Sequence, residues 1–205
     1  MFNPAAPDAA DHLERGLAEL GLRCVCLFPA MHRYRLDDER VVKVFEAAAR
    51  HGAAVFAHCG VLTIGVRAKL GLASRFDLRL GDPLALAAVA SSFPQVPVII
   101  PHFGAGMFRE ALMAADQCPT IHLDTSSSNG WMKYHPGLTL DAVFRQALAV
   151  VGASRLIFGT DSSFFPRGWQ KPVHDAQVTA MREAGVRDED RALILGGNFD
   201  RLFPL

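Results

Sequence analysis

The residues of this chain that could do chemistry are imidazoles and carboxylates placed at the ends of short apolar runs. AAVFAH ends on His58, VPVIIP runs into His102, TIHLDT contains Asp124, and RLIFGT runs into Asp161. A fifth run, LRCVCLF, ends on Phe28 instead. A single strand-end histidine is ordinarily a hydrogen-bonded rim residue, and a single strand-end aspartate ordinarily caps the next helix. Four such endings at equivalent places are harder to explain that way, because each costs desolvation without helping packing. Neutral imidazole nitrogens and carboxylate oxygens from separate strands are what a catalytic divalent metal takes as ligands, zinc ahead of manganese on ligand type. Such an ion keeps one position open for water and acidifies it toward neutrality.

For these side chains to meet, the runs that carry them must lie side by side and point the same way. The sequence supplies that arrangement by alternating β-rich runs with helix-period segments. Helices are expected at 7–20, from Asp37 or Asp38 to Gly52, from Asp82-Pro83 to about Ser92, and at 106–116, 140–151 and 172–184. Strands are expected at 22–28, 53–58, 96–101, 119–124 and 155–160, between those helices. Strict alternation means a parallel sheet with right-handed crossovers. A doubly wound nucleotide-binding sheet would show a glycine-rich first turn, and Gly104-Ala105-Gly106 lacks the third glycine. A TIM-type (β/α) barrel instead puts chemistry at the C-terminal ends of several strands, which is the pattern seen here. No low-complexity linker interrupts the pattern, so residues 1–205 are read as one domain.

Composition narrows the partners. The 21 basic and 21 acidic side chains balance, which gives no basic face for nucleic acid and no pull toward an anionic membrane. The apolar runs are far too short to cross a bilayer. The four cysteines (Cys24, Cys26, Cys59 and Cys118) form no disulfide framework, so a reducing cytoplasm is the expected compartment. A small-molecule substrate is the partner that remains.

AHCG at 57–60, PHFGAG at 101–106, FGTDSS at 158–163 and the closing GGNFDRLF at 196–203 together resemble the amidohydrolase superfamily, in its amidohydrolase-related branch of hydrolases and decarboxylases. The resemblance implies that His58 is a metal-binding histidine. It implies that His102 is either a metal ligand or an acid/base and substrate-polarising group, and that Asp161 binds metal and takes a proton from the bound water. It also implies an HxH pair on a first strand, and no two of the eight histidines here are spaced by two. Phe2-Asn3-Pro4 matches the end of a third strand. The barrel is therefore expected to be incomplete at its N-terminus, lacking the first two strand–helix units and with them HxH. Raw sheet edges would then invite self-association into a homo-oligomer.

Substrate contacts are expected from three segments on the catalytic side. Arg67 and Lys69 lie in the long basic connection Gly60–Leu80, which would suit an anionic group. Asp124 leads into a hydroxyl-rich run that includes Ser126, and Arg167 follows Asp161 and could pair with a carboxylate. The expected reaction is hydrolysis of an amide, lactone or similar carbonyl compound. Decarboxylation of a small aromatic or enol acid is the alternative on the same scaffold, and a silent relative serving as a binding partner is the third reading. Serine catalysis by Ser126 or Ser162 finds no GxSxG elbow. Cys59 should face away from His58, because adjacent strand residues point to opposite sides.

Overall fold

The computed structural model describes residues 1–63, 65–162 and 168–204. In it the apolar runs become β1 (Cys24–Leu27), β2 (Ala54–Ala57), β3 (Val98–Ile100), β4 (Ile121–Asp124) and β5 (Leu156–Ile157). All five pair in parallel and in sequence order. Their C-terminal ends therefore share one rim. Phe2, expected at the end of a further strand, makes an isolated parallel bridge to Leu27, and its amide donates to the Cys26 carbonyl at 2.8 Å.

The crossovers carry α1 (Glu39–His51), α2 (Pro83–Ala90), α3 (Phe108–Gln117) and α4 (Leu140–Val151), and α5 (Lys171–Glu183) follows β5. Their starts are set by local chemistry. Asp38 accepts from the Arg40 amide and Asp82 from the Leu84 amide, both at 2.9 Å, so each aspartate satisfies one orphan donor of its helix. Pro83 sits in the first turn of α2, where no amide donor is needed. Gly52 ends α1 at φ 61, a left-handed position that suits a residue without Cβ.

β5 is shorter than the expected run 155–160. The amide of Phe158 leaves the sheet and donates to the Ile194 carbonyl at 2.9 Å, so the C-terminal segment takes over the ladder there. Asn198, fully buried, donates through Nδ2 to the carbonyls of Ala153 and Leu156 at 2.7 and 2.8 Å. The GN of the closing motif is thus a clamp on the entry to β5.

Period-two alternation gives the sheet two different faces. Val25, Leu27, Val55, Val98, Ile100, Ile121, Leu123 and Leu156 pack under the helices in one core with Phe45, Leu86, Phe103 and Phe144. The opposite face presents Cys24, Phe56, Ile99, Asp124 and Ile157 to a cavity of about 560 Å³ that Phe199 and Phe203 also line. His122 is on this second face, with Nδ1 2.9 Å from the Thr120 carbonyl. No described helix is long and apolar enough to cross a membrane.

Two stability measurements follow from this packing. Phe45 is fully buried and its ring lies 5.5 Å from that of Phe93. Phe45→Ala is expected to cost about 3–5 kcal/mol, read from the urea midpoint. Burial lowers the pKa of His122 below its ordinary 6.5. On acidification the unfolded chain therefore takes up a proton at this residue before the folded chain does. The stability contributed by the neutral ring is complete above about pH 6.5 and falls as pH drops through that value toward the lower folded pKa. The urea midpoint of His122→Asn should fall less steeply between pH 7 and 5 than that of the parent; an equal slope would remove His122 from the account.

Candidate active site

At the C-terminal rim, His58 follows β2, His102 follows β3, Asp124 ends β4, and Asp161 lies four residues beyond the end of β5. His58 is buried, stacked on Phe28 with ring centroids 5.3 Å apart, and presents an edge to His102 at 5.4 Å. Burial, with His102 beside it, pushes its pKa down to about 4, so at neutral pH it is an uncharged imidazole with a lone pair to give.

The loops after β2 and β3 are latched backbone to backbone. Gly60 has φ +74, and a Cβ there would stand 2.1 Å from the Gly104 carbonyl oxygen. The Val61 amide donates to the Ala105 carbonyl at 2.8 Å. These contacts explain the glycine of HCG: a side chain at Gly60 would separate the loops and carry the two imidazoles apart, whereas a Cβ at Gly104 of PHFGAG would stand 2.7 Å from that of Ala111. Backbone strain gathers here as well. His102, Phe103, Ala105, Ser127, Asn129 and Asp161 all have positive φ, and Arg33 is the other described non-glycine of that kind. Strain of this sort persists only where the surroundings over-determine it.

His102 is held from behind. Its Nδ1 lies 2.8 Å from the Ser126 hydroxyl and 3.2 Å from the Ser126 carbonyl oxygen. A carbonyl can only accept, so Nδ1 carries the hydrogen and Nε2 carries the lone pair of the neutral ring. The Ser126 hydroxyl in turn donates to Asp124 Oδ1, which also accepts from the amides of Ser126 at 3.0 Å and His102 at 3.3 Å. Asp124 is buried, and burial raises its pKa against the opposing pull of these donors and of His102. Its second oxygen meets Gly159, where an added Cβ would lie 2.6 Å away. The result is a chain from His102 through Ser126 to Asp124.

This arrangement bears on several sequence expectations. Ser126 is no nucleophile, because its proton goes to Asp124 and it receives one from His102, the reverse of what serine catalysis needs. Asp124 and Ser126 are at the site, but their polar atoms serve His102. Cys59 is fully buried and its thiol is pushed upward by desolvation, which keeps it protonated. Arg67 turns back on its own loop, donating through Nε and Nη2 to the Ala73 carbonyl at 3.2 and 3.0 Å. Lys69 is exposed at the end of a short helix, Gly65–Lys69. Neither lines the cavities that contain the histidines. Arg167 lies outside the described residues.

Two cavities meet at the imidazoles. One, of about 320 Å³, is lined by His58, His102, Trp131, Lys133, Tyr134 and Asp161. The other, of about 440 Å³, lies toward Phe28, Phe56 and Thr160. Lys133 escaped the sequence reading, its only signal being a cation set among aromatics in WMKYH. As to a metal, His58, His102 and Asp161 have the right donor chemistry. Among the described residues, however, no three His, Cys, Asp or Glu side chains converge as a metal-holding group. A catalytic zinc takes three protein ligands, so the described residues do not complete such a centre.

A family model described as amidohydrolase matches residues 2–205. Among solved structures, a TIM-barrel protein from Bordetella bronchiseptica is similar with a TM-score of 0.70 at 22% identity, over 98% of this chain and 64% of that one. An amidohydrolase from Burkholderia multivorans with bound zinc gives 0.65 at 17% identity, over 98% and 71%. The 5-carboxyvanillate decarboxylase of Sphingomonas paucimobilis gives 0.61 at 18% identity, over 98% and 63%. The chain thus spans about 63–64% of the length of two of these structures. At such identities the likeness is one of fold. No curated protein matches the chain.

The tautomer of His102 is directly observable. Long-range proton–nitrogen NMR should show the hydrogen on Nδ1 in the parent protein. Gly159→Ala, which presses on Asp124, should lose that single tautomer and about 1–3 kcal/mol of stability. A parent protein with the hydrogen on Nε2 would sink the relay.

Proposed function

The chain belongs to the amidohydrolase family, and on that footing we propose that it takes part in hydrolysis of an amide, lactone or similar carbonyl bond in a small molecule, with His102 moving the proton. The observation that carries this reading is the pinned Nδ1–H of His102, which leaves Nε2 as the one ring atom able to exchange a proton at the cavity. A substrate carbonyl held there places its attacking water and its leaving group within reach of a single imidazole.

His102 Nε2 takes a proton from the attacking water as the tetrahedral centre forms. The charge of the resulting imidazolium is met through Ser126 by Asp124, whose buried carboxylate gains most from a cation nearby. Nε2 then returns the proton to the departing nitrogen or oxygen, so one group serves as base and then as acid. Asp161, exposed and at the same cavity, is the second candidate acceptor. In a complete centre of this kind a divalent metal, zinc by ligand type, would supply polarisation of the carbonyl and acidification of the water. His58 and Asp161 offer it two donors, fewer than it takes, so the steps above run through the chain's own groups.

Decarboxylation is the second reading, supported by the likeness of fold to the 5-carboxyvanillate decarboxylase. There His102, first protonated at Nε2 from solvent, would deliver that proton to the ring carbon as its bond to the departing carbon dioxide breaks.

One pair of assays separates the two. The protein, with and without added zinc, is given a panel of lactones and amides with acid release followed by pH-stat, and a panel of hydroxybenzoates with carbon dioxide followed directly. Hydrolysis is expected, with His102→Asn lowering kcat by about 10²–10⁴-fold. Carbon dioxide release alone would favour the second reading, and turnover unchanged in His102→Asn would overturn both.

A further inference from the structure

Lys133 is the one lysine or arginine among the described residues that line either cavity at the imidazoles. The turn that carries it is fastened on both sides. Before it, Trp131 is buried, packs against Phe108 with ring centroids 5.6 Å apart, and donates through Nε1 to Asn129 Oδ1 at 3.2 Å. After it, His135 donates through Nε2 to the Gly106 carbonyl at 3.0 Å. Between these anchors Gly130–Tyr134 forms a 3₁₀ turn, and the Lys133 ammonium stands 5.1 Å from the centroid of the Tyr134 ring. Tyr134 itself lies against Gly106, where a Cβ would come within 3.3 Å of its ring. Lys133 is itself exposed, but the turn that carries it is anchored, which keeps it at the cavity with its head over an aromatic face.

Charge divides the cavity. Asp161 and the two imidazoles are among its lining groups, and Lys133 is its cation. An anionic group on a ligand is attracted to Lys133 and repelled by Asp161, so it can enter in one orientation only. A cavity of about 320 Å³ takes one small planar molecule at a time. The aromatic rings of Trp131 and Tyr134 in its lining favour a flat ligand over a branched one.

We infer that Lys133 reads a carboxylate that the substrate carries away from its reacting carbonyl, so that the substrate class is a small planar carboxylic acid bearing a second, hydrolysable group. The inference rests on the reading of this cavity as the substrate site, and it deepens that reading by naming what the far end of the substrate must be. The two basic residues that sequence pattern offered for this task, Arg67 and Lys69, do not line either cavity.

The test uses benzoate and its uncharged isostere benzamide as probes, with binding to the full chain followed by ligand-observed NMR. The parent protein should prefer benzoate, and the preference should shrink as salt is raised. Lys133→Met should weaken benzoate about tenfold and leave benzamide unchanged, while Lys133→Arg keeps the preference. A parent protein indifferent to the charge, or a Lys133→Met variant that binds benzoate as the parent does, overturns the inference. Charge preference lost in Lys133→Met, in a protein without hydrolytic turnover, would support the carboxylate site and overturn the hydrolytic reading alone.

Discussion

A buried carboxylate with no lysine or arginine against it among the described residues governs the architecture of this rim. Asp124 must collect its hydrogen bonds from whatever the fold brings near, and it draws them from the Ser126 amide, the Ser126 hydroxyl and the His102 amide. Leaving such a group without partners would cost several kcal/mol. Each of its donors therefore becomes a constraint on something else. The His102 amide ties the end of β3 to the end of β4, the Ser126 hydroxyl fixes the plane of the imidazole, and the second carboxylate oxygen leaves no room for a side chain at Gly159. The orientation of the reactive ring thus follows from meeting the electrostatic needs of a residue beneath it.

The latch between the β2 and β3 loops complements this. Asp124 sets how His102 faces, and the contact of Gly60 with Gly104 and Ala105 sets how far His102 stands from His58. Together they hold one imidazole, already neutral through burial, beside another whose tautomer is fixed. Two histidines in such a state are suited to giving lone pairs, to a proton or to an ion, and need no rearrangement to do so.

Much of this was legible in the sequence, and what was not has physical reasons. Alternation and caps locate the strands and helices, because Asp38, Asp82 and Gly52 act through bonds to neighbours two to four residues away and Pro83 sits where no amide donor is needed. The convergence of His58, His102, Asp124 and Asp161 on one rim was legible for the same reason, since parallel pairing follows from the alternation. The role of Asp124 was not. Whether a strand-end carboxylate faces a ligand or turns under its neighbour depends on side-chain torsions and on the register between β3 and β4. Arg67 misleads in a related way: its charge suits an anion, but the nearest acceptor is the Ala73 carbonyl of its own loop. The length of β5 depends on Ile194 and Asn198, which reach it from some forty residues along the chain, beyond the span of any local pattern.

The rim is made of two kinds of material. Around His58 and His102 its shape is written in main chain, with glycines pressed against carbonyl groups and left-handed turns that admit few substitutes. Across the cavity, on the turn Gly130–Tyr134, its surface is written in side chains whose anchors, Trp131 and His135, flank Lys133 and Tyr134. Directed evolution of ligand preference has a natural address in that division. Libraries confined to Lys133 can vary the charge of the cavity without touching the part that holds the imidazoles, whereas randomising the glycine loops would spend most of its members on chains that do not fold.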